Sequence, residues 1–259
     1  MKSVLFDDGI CVCGDFMDED VRLLVHNHCG SFPLQICDPP YGNILPNNWD
    51  RTSSSDIDFC KWMIAWTRHL ETMSLPGAAA YIFGGIGRPQ DGKEKPFRPF
   101  FRYLVEVEIE TGYRLSSLIT WKKKRAYGIQ WNFLFCREEI AYLVNGDVKK
   151  PRKFTVPLLE EKRGYQGYNL KYPAKSEYLR RTNVWTDITE LFRGKIHDAQ
   201  KPDRIYEVPI EIHTEKGEWV LDPFAGSFTL ARACRKLGRR FAVIEKDENT
   251  FEEMVERLR

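Results

Sequence analysis

Short apolar runs that end on polar loop residues recur along the chain. Ile10-Cys11-Val12-Cys13 and Leu34-Gln35-Ile36-Cys37 read as buried parallel strands, and each delivers an aspartate just past its end, Asp15 and Asp38. Over 56–73, Phe59, Cys60, Met63, Ile64, Thr67, Leu70 and Met73 fall at helical spacing behind Asp56 as N-cap, and Pro76-Gly77 breaks the pattern. A strand over 78–83 follows, then the glycine loop Gly84-Gly85-Ile86-Gly87, an aromatic helix over 97–110, and strands over 115–121 and 140–144. Past a polar middle, 203–213 reads as a helix that Pro209 should kink, 219–221 as a strand, 228–237 as a helix and 241–244 as a strand. Strand, glycine turn, helix, strand is the unit that binds nucleotides in doubly wound sheets. The pattern predicts one α/β domain over 1–259: a half over 1–145, an insertion over 146–183, and a second half over 184–259.

Composition narrows the class. At 42% apolar and 29% charged, the chain is an ordinary globular one, and no window approaches the ~20 apolar residues of a membrane span. Met1-Lys2-Ser3-Val4-Leu5-Phe6 turns acidic at Asp7 and Asp8 and lacks the apolar core of a signal peptide, so a cytoplasmic protein is expected. The cysteines, at 11, 13, 29, 37, 60, 136 and 234, show no CxxC spacing, so no zinc site or disulfide framework is expected. His26, His28, His69, His197 and His213 show no ligand spacing and none is assigned to catalysis; His26 and His28 read as a surface turn after a helix.

Two segments carry candidate chemistry. In Asp38-Pro39-Pro40-Tyr41 the prolines fix φ and remove donors, holding a carboxylate, a carbonyl and an aromatic face in one preset geometry. An exocyclic amino group has two hydrogens: Asp38 accepts one, the Pro40 carbonyl the other, and Tyr41 stacks on the ring, which frees the nitrogen lone pair. Taken alone, the same tetrapeptide is also simply a rigid turn. The second segment is Asp222-Pro223-Phe224-Ala225-Gly226-Ser227-Phe228-Thr229, with Glu245 ending the next strand. An acid roughly 20 residues past a glycine turn suits ribose hydroxyls, and Gly226 lets a ligand approach closely. Asp222 favours a cationic group, an ammonium or sulfonium, over a pyrophosphate, although an ordinary βα turn has a similar pattern.

Together and in this order, these segments closely resemble the β-group amino-methyltransferases of DNA, which place Asp-Pro-Pro-Tyr before Asp-Pro-Phe-x-Gly-Ser. Further matches are Gly14-Asp15, Trp49-Asp50, Trp121-Lys122, Glu138-Glu139-Ile140, Val184-Trp185 and Gln200-Lys201-Pro202. The resemblance implies a doubly wound, mainly parallel, seven-stranded sheet, with Asp38 and Asp222 near one another. It implies S-adenosyl-L-methionine as methyl donor, no metal, and double-stranded DNA as substrate within restriction–modification. It puts Asp15 near the cofactor adenine, Lys201 and Thr229 near the methionine carboxylate, Asp222 near the amino group and Glu245 at the ribose, beside Phe224, Gly226 and Ser227 of the motif loop. Phe228 stands where the family usually has a second glycine, so the turn must admit a bulky side chain, expected at negative φ. In this family Asp-Pro-Pro-Tyr mostly accompanies adenine, and serine in place of the aspartate accompanies cytosine. Alternatives are a cytosine-N4 target, an RNA or protein-amide substrate, and a catalytically silent DNA-binding or cofactor-sensing protein, which the intact Asp38–Tyr41 segment opposes.

Net charge is only +2, so a polyanion partner has to be sought in local clusters. Residues 149–181 hold ten Lys or Arg against three Glu, interleaved with Phe154, Tyr165, Tyr168, Tyr172 and Tyr178. Lys149, Lys150, Arg152, Lys153, Lys162, Arg163, Arg180 and Arg181, with Lys122, Lys123, Lys124 and Arg125, are the candidates to contact DNA phosphates; a solvated loop is the plainer reading. A base inside a duplex hides its amino nitrogen and must be extruded, and the polar loop 42–55 is placed to close over it. With so small a recognition region, a homodimer is an expected assembly.

Overall fold

Parallel strands set side by side, with their following helices on opposite faces, organise this chain. The computed structural model describes residues 1–41, 55–85, 99–128, 130–131, 133–162, 178–191 and 200–259. In chain order the elements are β1 (Lys2–Phe6), β2 (Gly9–Cys13), α1 (Glu19–Cys29), β3 (Phe32–Cys37), α2 (Asp56–Thr72), β4 (Ser74–Gly84), α3 (Pro99–Glu110), β5 (Tyr113–Tyr127) and β6 (Phe135–Asn145). Then come β7 (Leu158–Lys162), β8 (Tyr178–Arg180), β9 (Val184–Trp185), α4 (Asp203–His213), β10 (Trp219–Asp222), α5 (Thr229–Leu237), β11 (Arg240–Glu245) and α6 (Glu248–Leu258).

The main sheet runs β1-β2-β11-β10-β3-β4-β6-β5-β9. From β2 to β5 this is the expected seven-stranded sheet, parallel from β2 to β4 with β6 antiparallel to both neighbours. β1 and the two-residue β9 extend its edges. Alternate residues of β11 serve two cores: Phe241 and Val243 pack with Leu230 of α5 and Phe251 of α6, while Ala242 and Ile244 pack with Val21 of α1, Met63 of α2 and Tyr103 of α3. β3 is covered on both faces and fully buried, so its one polar side chain, Gln35, must be satisfied internally. Its amide donates to Ser74 Oγ at 2.5 Å and its carbonyl accepts from Tyr113 O–H at 3.2 Å.

β10 and β3 are parallel neighbours, yet β10 leads into α5 on one face and β3 leads toward α2 on the other. That reversal is the topological switch point of a doubly wound sheet, where ligands bind at the carboxyl ends of the strands. With Val220 opposite Leu34 and Leu221 opposite Gln35, Asp222 and Asp38 emerge side by side at that point.

Several local expectations change. Pro76-Gly77 bends β4 rather than ending the preceding pattern: pairing jumps from Phe32 with Ser74 to Leu34 with Ala79, and Gly77 takes φ +73° at the resulting bulge. α2 is capped one residue earlier than expected, by Ser55 Oγ accepting from Asp58 N–H. His26 and His28 lie in the last turn of α1 rather than after it. α4 runs through Pro209. Burial drives the His213 imidazole down to about 4, and it sits as a neutral ring against Tyr81 O–H and the Lys153 carbonyl. All seven cysteines are free thiols. Among the described residues, no helix is long and apolar enough to cross a membrane.

Candidate active site

β3 delivers Asp38 to the switch point, and Pro39-Pro40 carries the chain to Tyr41. Tyr41 O–H donates to Asp38 Oδ1 at 2.8 Å and lies 3.2 Å from Glu138 Oε2. Lys201, just before α4, donates to Asp38 Oδ2 at 2.6 Å and reaches Tyr41 Oη at 3.2 Å and Glu138 Oε2 at 3.4 Å. Lys123 pairs with the other oxygen of Glu138. Charge alternates along the chain Asp38, Lys201, Glu138, Lys123, which is how a buried cluster avoids an uncompensated ion. Burial alone would lower the Lys201 ammonium, but Asp38 and Glu138 hold it above the ordinary lysine value. Burial would raise Glu138, and Lys201 and Lys123 bring it below the usual glutamate value. Burial, with Asp38 and Glu138 beside it, pushes the Tyr41 phenol far up, so it stays a neutral donor. The pocket beside Pro39 and Tyr41, lined also by Phe59, Met63, Phe83 and Phe100, has room of about 10 Å3, one water's worth.

Asp222 ends β10 fully buried. Its Oδ1 accepts from Phe224 N–H at 3.0 Å, while Oδ2 has no partner. Burial, opposed by that N–H and reinforced by Asp38 and Glu245, raises its carboxyl well above the aspartate range. Glu245 ends β11, where Oε2 accepts from Gly226 N–H and Oε1 from Asp247 N–H, both at 2.8 Å. Gly226 takes φ +46° and faces open space where a Cβ would sit. Ser227 Oγ and Thr229 Oγ1 are 3.0 Å apart at the start of α5, and Arg232 grips the Ser227 carbonyl and Asp203. Asp15 accepts from Met17 N–H and pairs with Lys246 at 2.7 Å. Phe224 packs edge-on to Trp66 with ring centres 5.1 Å apart and tilted against Trp62 at 5.9 Å.

Phe228 overturns the expected negative φ: it is the one non-glycine residue in the left-handed region among those described, at φ +52°. Its ring is 1% exposed and meets Phe251 edge-on, so packing holds the backbone where glycine would sit without strain. Left-handed geometry costs ~1–2 kcal/mol, whereas deleting a buried phenyl ring costs ~3–5 kcal/mol. Phe228→Gly is therefore expected to destabilise the protein by about 2 kcal/mol in urea unfolding; a more stable variant would show that strain outweighs packing.

The basic candidates separate into groups. Lys122, Lys124 and Arg125 lie exposed on the β5 extension at the catalytic end. Lys123, beside them, turns inward to Glu138 and lies 5.1 Å from the Trp121 ring centre, which makes it part of the site rather than of a phosphate-facing surface. Lys149, Lys150, Arg152 and Lys153 follow the end of antiparallel β6, at the opposite end of the sheet from Asp38. There Arg152 and Lys153 pair with Glu218 and Glu215. Arg181 is buried, its guanidinium forked onto both Asp187 oxygens at 2.5 and 2.6 Å and lying over Trp185. Lys162 and Arg180 belong to the β7–β8 ribbon, with the Lys162 ammonium 5.8 Å from the Tyr178 ring centre. Arg163, Tyr165, Tyr168, Tyr172, His197, Trp49, Asp50, Ile86 and Gly87 lie outside the described residues, as does most of the 42–55 loop.

Glu138, Trp62 and Trp66 join the site through contacts that no local motif announces. Phe59, Trp62 and Trp66 share one helical face, and a glutamate pair opening an apolar strand is itself a signal of a buried, partnered charge.

Residues 33–256 match the N6/N4 methyltransferase family, whose description is DNA methylase. The type II methyltransferase M.HpaI of Haemophilus parainfluenzae is 27% identical over 248 residues, 92% of this chain and 71% of that protein. The cytosine-N4-specific PvuII DNA methyltransferase shares the fold with a TM-score of 0.72 at 16% identity, over 96% of this chain and 86% of that one. M1.HpyAVI, solved as a SAM complex, aligns with a TM-score of 0.60 at 21% identity over 96% and 98% of the two chains. With the motif order, the switch-point geometry and a match across most of its length, this chain belongs to the N6/N4 DNA methylase family.

Proposed function

We propose that this DNA amino-methyltransferase acts on the exocyclic N6 of adenine, in a nucleotide turned out of duplex DNA. The observation that carries the reading is the pairing of two carboxylates at the ends of adjacent strands, Asp38 on the catalytic segment and Asp222 with a buried, partnerless oxygen. S-adenosylmethionine supplies a methyl group made electrophilic by its sulfonium. The chain's own residues fit that donor: Asp222 Oδ2 is a buried acceptor suited to a cationic group, the open space at Gly226 admits a ligand against the backbone, and Glu245 stands at the end of β11 as the acid for ribose hydroxyls. Ser227 and Thr229, opening α5, offer hydroxyls to a carboxylate.

On the substrate side, Asp38 accepts one amino hydrogen, the Pro40 carbonyl the other, and Tyr41 packs on the ring. Asp38 must first be released by Lys201, whose ammonium is then available to a ligand carboxylate. Aspartate at position 38, where the family's cytosine enzymes more often carry serine, supports adenine as the target.

The test is incubation of the protein with labelled S-adenosylmethionine and mixed-sequence duplex DNA, followed by nucleoside mass spectrometry. N6-methyldeoxyadenosine from the wild type is the expected product. N4-methyldeoxycytidine alone would move the target base, and no methylated nucleoside at all would sink the reading.

A further inference from the structure

The β5–β6 hairpin outreaches the sheet it belongs to. Gly84 of β4 makes its last pairing opposite Glu139, yet β6 begins four residues earlier at Phe135 and β5 runs on to Tyr127. At the ~3.3 Å rise of a strand, this is about 13 Å of ribbon beyond the sheet, before the turn is counted. It projects from the end where Asp38 lies, and Lys123 ties it to the catalytic cluster through Glu138. Glu190 fixes its path by accepting from the Lys124 and Arg125 backbone N–H groups at 2.9 and 2.7 Å.

The ribbon carries the two most exposed aromatic rings among the described residues. Phe133 is 93% exposed, Trp131 85%, and Leu134 and Tyr127 are also exposed. Grouped exposed rings of this size forgo burial and mark a binding surface. The stretch 122–134 also contains Lys122, Lys123, Lys124 and Arg125 and no acidic side chain. Exposed aromatic rings beside Lys122, Lys124 and Arg125, on a stretch with no acid of its own, suit a partner with stacked bases inside a shell of phosphates, and suit a protein surface of mixed charge less well.

We propose that this hairpin tip docks into duplex DNA beside the extruded nucleotide, with Trp131 and Phe133 stacking on exposed base faces and Lys122, Lys124 and Arg125 on flanking phosphates. The inference rests on the reading of the protein as a DNA-modifying enzyme. It supplies what that reading lacks, since extrusion unstacks the neighbouring pairs and an inserted ring restores their contact.

The test follows intrinsic tryptophan emission while sheared mixed-sequence duplex DNA is titrated into wild type, Trp131→Phe, and the double variant Trp131→Ala/Phe133→Ala, with methyl transfer to the same DNA measured in parallel. DNA should quench wild-type emission. Trp131→Phe should lose most of that quench while keeping affinity within about twofold, since phenylalanine still stacks. The double variant should bind about tenfold or more weakly with an unchanged thermal midpoint, because both rings are exposed. An undiminished quench in Trp131→Phe, or unchanged affinity in the double variant, overturns the proposal. A wild type that binds with the Trp131 signal but transfers no methyl group overturns the methyltransferase reading and leaves the docking surface standing.

Discussion

Replacing Asp38 with alanine is expected to lower methyl transfer about 10³-fold while leaving cofactor affinity within a few-fold of wild type. Removing one positioned acceptor or general base from a site of this kind costs on the order of 10²–10⁴ in rate, and Asp38 is the carboxylate we propose meets the amino group. The fold should survive: Lys201 keeps Glu138 at 3.4 Å and Tyr41 Oη at 3.2 Å, so its ammonium is not stranded. Asp38 is also one of the charges that push Asp222 up, so its loss makes Asp222 easier to ionise and leaves the cofactor side intact. Asp38→Asn is no gentler a control, because one of its two former oxygens becomes a donor amide among Lys201 and Tyr41, which are donors already. Rates from radiolabelled transfer and affinity from calorimetric titration check the split. Alanine activity within tenfold of wild type would remove Asp38 from the chemistry.

Much of this site is legible in the chain because its parts are local. A carboxylate next to two prolines, and an acid placed at the end of each apolar strand, are set by neighbours in sequence, and the strands that carry Asp38, Asp222 and Glu245 have buried apolar centres with little ambiguity. Features set by distant packing are harder to read. No local rule puts phenylalanine in the left-handed region; the Phe251 ring of α6 does, from 23 residues away. The charges of 149–153 look like those of 122–125 in sequence, and only the antiparallel course of β6 shows that the two groups leave from opposite ends of the sheet. Lys123 alternates with exposed neighbours, yet its side chain points into the site because strand residues alternate faces. α6 is a different case, since Phe251, Met254, Val255 and Leu258 form a plain helical stripe behind the Asp247 cap and were readable without the structure.

In the proposed reading, Asp222 is the position where the fold gives up stability for binding. Its carboxyl is held well above the ordinary 3.8, so between that pH and the raised value the folded chain binds a proton that the unfolded chain has released. Folding stability from this group is therefore greatest at low pH and falls as pH rises through the window, because ionising a buried carboxylate with one partnerless oxygen is unfavourable. A cationic ligand group reverses the sign: it favours the ionised form, draws the proton off and gives Oδ2 a partner. Asp222→Asn is thus expected to remove this downward slope above the ordinary 3.8, and to weaken S-adenosylmethionine binding about 100-fold or more, the ~3 kcal/mol lost when a buried charge pair loses one member. Urea unfolding across pH for both proteins, with calorimetric titration of the cofactor at neutral pH, measures the two effects separately. A variant with the wild-type slope would mean Asp222 is already ionised in the free protein, and one with wild-type affinity would place the cofactor's positive charge elsewhere.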